Sequence, residues 1–334
     1  MPVGALHAPA SQEPPHHGYY DDYNDYRYEY LSHISIMPTA RRFNLRTSEM
    51  GKQVEVAYNY GGTEDMDNPP VHNHELKLRR AAEHLAMLDE QIEDWMDGAY
   101  RYVAELDSQS GKKHVIVKVL NPPPVALRLL IGDCLHNLRS ALDNLAYELA
   151  VAHHGGGLPY PYFKDSEFAI FKRPMSTKEH KKRIGCVHPK AQRIIKRLQP
   201  YQHPTTYWLD PLWQLHQLNN VDKHRLPNVV QFATGAGAFF PDSPTRPQDL
   251  EVHMGPITDG RRVATYTPAP NEPPNEIHTE FLFVENLQFA DNTYMMDPAV
   301  SRTLHKIHSR IHDDVLPPLT QYLPDPAWFN SVVK

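Results

Sequence analysis

With only two cysteines, Cys134 and Cys186, in 334 residues, the chain holds no disulfide framework. It has no apolar run near the roughly 18 residues that would mark a membrane span, and no charged-then-apolar leader at the N-terminus. A cytoplasmic protein without a membrane partner is therefore expected. Glycine is scarce, at 16 residues. No glycine-rich phosphate loop, dinucleotide fingerprint, GxSxG elbow or CxxC pair occurs, so the motif-marked nucleotide, acyl-transfer and dithiol chemistries are not indicated. An excess of positive charge is missing too: 34 Lys and Arg stand against 40 Asp and Glu, a net charge of −6, which excludes a uniformly basic nucleic-acid coat. What the chain has in excess is proline, 31 residues, close to twice the usual share of about 5 %. Histidine, at 21 residues, is the other outlier.

Residues 1–70 are polar and rich in Pro, Tyr and Asp, with no period that buries a face, and read as a disordered arm that offers a partner its tyrosines. Order begins near Asn73, a predicted N-cap. From there Leu78, Ala81, Leu85, Leu88, Ile92 and Trp95 recur every three or four residues, the seam of a helix ending at Gly98. Two alternating runs, Tyr102–Leu106 and Val115–Val119, around the turn 107–113 predict a β-hairpin. Pro124 then opens a long amphipathic helix over 125–153 that buries Leu127, Leu130, Ile131, Cys134, Leu138, Leu142, Leu145 and Leu149. Further helices are expected over 189–198 and from Asp210-Pro211 towards Pro227. Short strands follow at 250–254, 263–267 and 277–284. A closing helix over 297–316 buries Leu304, Ile307, Ile311 and Val315 and stops at Pro317-Pro318. The expectation is an α+β fold, mainly α: a helical bundle with an inserted hairpin, a small antiparallel sheet and a closing C-terminal helix. It forms one domain over 71–320, with a helical core to 227, a strand-rich part over 228–296 and a tail over 321–334.

Two polar clusters carry candidate chemistry. On the long helix, Asp133, His136, Asn137, Ser140, Asp143 and Asn144 line the face opposite the apolar one, where better helix formers such as Glu and Lys are usual. This choice points to a site or a polar network, with solvated helix surface as the plain alternative; Arg139 is spaced to pair with Asp143. The second cluster is Asn219, Asn220, Asp222, Lys223, His224 and Arg225 at a helix C-terminus. Asp222 is placed to orient His224 as a general acid or base, and Lys223 or Arg225 to hold a phosphate. A helix C-cap explains the same residues. Between the clusters, residues 172–197 hold ten basic side chains, Lys181, Lys182 and Arg183 among them, against the single acid Glu179. On the last helix His305, His308 and His312 share a face, but no HExxH glutamate accompanies them and no metal or other cofactor is expected.

The segments GDCLHNLRSALDNL and NNVDKHR together resemble a family of uncharacterised bacterial proteins, common in actinomycetes, over roughly residues 75–318. More distantly, the paired helices are similar to HEPN domains, helical modules that often dimerise and act as metal-independent ribonucleases through an Arg shortly upstream of a His. Here Arg225 follows His224 instead. The resemblance implies a protein that binds or cleaves RNA, with 172–197 as the phosphate-tracking surface and His224 as acid or base. Arg225, Lys223 or Arg139 would stabilise phosphate charge, and Asp133, His136, Asn219 and Asp222 would stand beside them. Two other classes compete: a non-catalytic interaction module whose motifs form a structural network, and a metal-dependent hydrolase.

Overall fold

The computed structural model describes residues 70–158, 167–225, 227, 229–239, 249–253, 255–270, 272–275, 280–290 and 299–332. The arm expected over 1–70 lies outside them except for its last residue. Helix α1 (Asn73–Met96) buries Leu78, Ala81, Leu85, Leu88 and Ile92 of the predicted seam, while Trp95 is half-buried. Asn73 is not its N-cap. His72 holds that position, and its side chain caps nothing. The acceptor for the first helical N–H groups comes from elsewhere in the chain: Glu148 Oε1 accepts from the Asn73 N–H at 2.8 Å.

The hairpin, β1 (Tyr100–Leu106) and β2 (Lys113–Val119), has the expected turn, in which Asp107 accepts from Gln109 N–H and Gly111 adopts φ 67°. It leads into α2 (Val125–His154), whose eight predicted core residues are all buried. Gly155, at φ 68°, ends this helix in the left-handed conformation that favours glycine. Short helices α3 (Thr177–Arg183) and α4 (Pro189–Arg197) follow, then α5 (Pro211–His224), capped by Asp210 accepting from Leu212 N–H at 2.8 Å.

The fold is α+β and mainly helical with a small antiparallel sheet, as expected, and strands form at all three expected runs; the strand-rich part differs in its pairing. The hairpin is not a separate insertion: β2 pairs antiparallel with β6 (Arg262–Tyr266), giving a four-stranded sheet of order β1-β2-β6-β4 with β4 (Glu251–Val252) at its edge. Val115, Val117, Val263 and Tyr266 form its own apolar core. A second sheet, order β5-β3-β7, joins β3 (Val229–Phe239), β5 (Gly255–Pro256) and β7 (Glu280–Phe289). β3 was not expected. Its run carries the small residues Ala233, Gly235, Ala236 and Gly237, which mask a strand signal that β7 pairing supplies.

The closing helix also differs. α6 (Val300–Ser309) opens it, with Asp297 and Pro298 outside the described residues. The chain then passes through a widened π turn (Arg310–Val315) into α7 (Leu316–Thr320) instead of stopping at Pro317-Pro318. Those prolines sit in the first turn of α7, where a missing N–H is tolerated. The expected tail holds one more helix, α8 (Pro326–Val332), with Phe329 fully buried. Among the described residues no helix is long and apolar enough to cross a membrane.

Candidate functional site

The two motif helices pack antiparallel. Arg128 Nε donates to Pro227 O at 2.8 Å, and a Cβ on Gly132 would lie 2.6 Å from Asp222 Oδ1. Gly132 therefore makes room for the Asp222 carboxylate. Desolvation raises the Asp222 pKa, His136 works against that rise and Asp133 adds to it. Asp133, His136 and Asp222 thus share one polar junction between α2 and α5, with Asp133 and His136 exposed at its rim. Ser140 Oγ lies 3.4 Å from His136 Nε2.

Other expected members lie elsewhere. Asp222 turns towards α2, so it does not orient His224; His224, Lys223 and Arg225 are exposed at the end of α5. Asn219 is buried, while Asn220 Nδ2 donates to His216 Nε2 at 3.2 Å, one turn back on its own helix. Asn137 is buried as well and donates to the Asp133 carbonyl. Arg139 is committed to structure: it pairs with Asp143 at 2.8 Å and donates from Nη2 to Phe168 O at 3.0 Å, while Asp143 Oδ1 accepts from Phe168 N–H at 2.9 Å. Together with Gln199, which donates to Ala169 O and accepts from Phe171 N–H, they clamp the segment 168–171, of which Phe168, Ala169 and Ile170 are buried. A guanidinium held in this way is no phosphate ligand. Cys134 is buried and its thiol pushed up to about 12, mainly by desolvation, so it is no nucleophile.

The basic segment divides into two parts. In its first half Arg173 makes a bidentate pair with Glu179 and Arg183 pairs with Glu167, while Lys181 and Lys182 are exposed. The second half is α4. There Lys190, Arg193, Lys196 and Arg197, with Ile194 and Tyr322, line an open groove of about 460 Å³. None of the four cations forms an ion pair with a described residue. Lys196 instead helps to lower the His180 pKa, after burial. His188 stacks on Tyr322 with ring centroids 5.2 Å apart, and its other neighbour is His153 at the end of α2, 5.6 Å away. The groove is therefore at the C-terminal end of α2, whereas the motif junction is at Gly132. About 30 Å of helix separates them, at about 1.5 Å per residue.

One polar cluster was not foreseen. His72, His74 and Glu148 are all buried, and three of their ligand-type atoms lie within 4.8 Å of one another. Helical geometry holds the missed signal. Eighteen residues make five full turns, so Glu148 falls on the azimuth of buried Leu130, and His74 on that of buried Ile92. Both are polar residues at apolar positions. The histidines of α6 and the π turn are accounted for more simply. His305 Nε2 meets Asp89 Oδ2 at 2.7 Å, and His308 stacks on His312 with centroids 6.0 Å apart. No protein-family model, no curated protein and no solved structure matches the chain.

Proposed function

We propose that the protein binds RNA through the α4 groove, its phosphates on Lys190, Arg193, Lys196 and Arg197 and a base against Tyr322. The observation that supports this reading is the set of four cations that have no acidic partner among the described residues, in a chain of net charge −6. Like charges crowded on one short helix repel, which disfavours the fold unless an anion occupies the site. Lys190 to Arg197 spans about 10 Å of helix, room for two successive phosphates. Aromatic rings beside such a track serve as stacking platforms for unpaired bases. Cleavage at the distant α2–α5 junction is not needed for this reading. The separation favours a junction that fixes helix register, with His224 left free at the surface.

Fluorescence anisotropy with a labelled single-stranded RNA tests it, using the full chain and a variant carrying Lys190→Glu, Arg193→Glu and Arg197→Glu. The wild type should bind with a salt slope of about 1.4, at about 0.7 for each of the two phosphates, and the variant should lose at least about tenfold in affinity and most of that slope. Equal binding by both proteins overturns the reading. Product analysis in the same samples, with His224→Ala alongside, shows whether cleavage accompanies binding.

A further inference from the structure

We propose that His72, His74 and Glu148 form a mononuclear zinc site that fastens the C-terminal segment to the helical bundle. Three elements meet there: the residues that open α1, the last turns of α2, and the chain around α8. Glu148 Oε1 accepts from Asn73 N–H at 2.8 Å, which leaves Oε2 aimed at both imidazoles. His74 Nδ1 makes a very short contact with that oxygen, and His72 Nδ1 stands 3.5 Å from it.

Proton positions follow from the partners. His72 Nε2 lies 3.2 Å from the Pro324 carbonyl, which only accepts, so this nitrogen carries the proton. In a neutral ring His72 Nδ1 is then a bare lone pair facing a carboxylate lone pair, and it has no hydrogen-bond partner. His74 Nε2 is likewise buried without one, with Glu75 Oε1 4.0 Å away. By the same rule His74 Nδ1 donates to Glu148 Oε2 while the site is metal-free, and only His72 Nδ1 is a bare lone pair. With the His74 proton moved to its partnerless Nε2, the three atoms His72 Nδ1, His74 Nδ1 and Glu148 Oε2, which lie within 4.8 Å of one another, become the donor set a cation would take.

The donor set of two imidazoles and one carboxylate suits a borderline metal, zinc first, and leaves a fourth position for water. The outer contacts agree. A metal-bound imidazole usually gives its other N–H to a carbonyl, as His72 does to Pro324, and a ligating carboxylate is itself hydrogen-bonded, as Glu148 is at the start of α1. Phe329 stands against His72 at 5.9 Å and closes the site. Binding would replace the close His74–Glu148 contact with two bonds to one ion. Pro324 and Phe329 connect the site to the end of the chain, so the metal would hold that end in place.

The test uses full-length protein without a histidine tag, grown in zinc-supplemented medium. Elemental analysis should find one zinc per chain in the wild type and in His308→Ala, which removes the stacked His308–His312 pair as a source. His72→Asn and Glu148→Gln should hold almost none. Cobalt added to chelator-stripped protein should give the intense visible absorption of tetrahedral coordination in the wild type and lose it in His72→Asn. Should Glu148→Gln fail to fold, His72→Asn, at the edge of the cluster, carries the comparison alone. Absence of stoichiometric zinc together with no cobalt spectrum overturns the proposal, as does equal zinc in wild type and His72→Asn. Those results would leave the cluster as a buried hydrogen-bonded contact between His74 and Glu148.

Discussion

The two ends of α2 hold polar clusters of opposite kinds. Near its start, Asp133, His136 and Asp222 sit at a rim open to water, made of residue types that stand out on a helix face. Near its end, His72, His74 and Glu148 are buried, and His74 and Glu148 occupy positions where the helical pattern calls for an apolar residue. The contrast teaches that helical patterning displays polar groups that solvent tolerates and conceals those that only tertiary partners can satisfy. Energetically the order is the reverse of visibility, because a group cut off from water loses its full solvation when its partner is removed.

The largest effect should come from Glu148→Ala. It strips an acceptor from Asn73 N–H and leaves two buried imidazoles facing a void, and about 3–5 kcal/mol should be lost in urea unfolding. Should Asp222→Ala cost as much, the contrast between the two ends is wrong. An intermediate loss, about 1–3 kcal/mol, is expected for Asp143→Ala, which frees Arg139 and the Phe168 backbone together. Combining it with Arg139→Ala should then cost clearly less than the sum of the single changes.

Acid sharpens the comparison further. His308 has its pKa lowered to about 4, first by burial and then by the neighbouring charges of His312 and His305, with Asp313 opposing. The unfolded chain therefore takes up a proton near pH 6.5 that the folded one refuses, so stability should fall as pH drops from about 6.5 towards 4. His308→Asn should flatten that part of the pH–stability curve in thermal unfolding. The smallest change is expected for Lys190→Glu on the exposed side of α4, within about 0.5 kcal/mol of the wild type, so any effect on RNA binding would be separable from folding.

Much of the helical core was legible because burial and period coincide. Every predicted apolar residue of α2 is buried, and the meeting of the two motif helices follows from Gly132, whose missing Cβ admits Asp222. The cationic half of 172–197 was visible as charge, yet only the ion pairs of Arg173 and Arg183 distinguish the compensated half from the bare one. The pairing of β2 with β6 joins segments about 150 residues apart, and no local pattern encodes a partner at that distance. The cap of α1 was hidden for the same reason: its acceptor belongs to α2. The pairing of Arg139 with Asp143 was legible in the i, i+4 spacing, but its hold on Phe168 was not, because that backbone has no periodic signature of its own.

The π turn at Arg310–Val315 works as a phase shifter. One residue more than an α-helical turn requires rotates all that follows by about 100°. Ile307 faces the core before it, Ile311 and Val315 within it, and Leu316 and Leu319 after it, a set of positions no uninterrupted helix keeps on so narrow a stripe. The rotation sets the direction in which Tyr322, Pro324 and Phe329 leave the helix. A single inserted residue in the chain thus aims the same short stretch at two places, the ring at the floor of the α4 groove and the carbonyl beside His72.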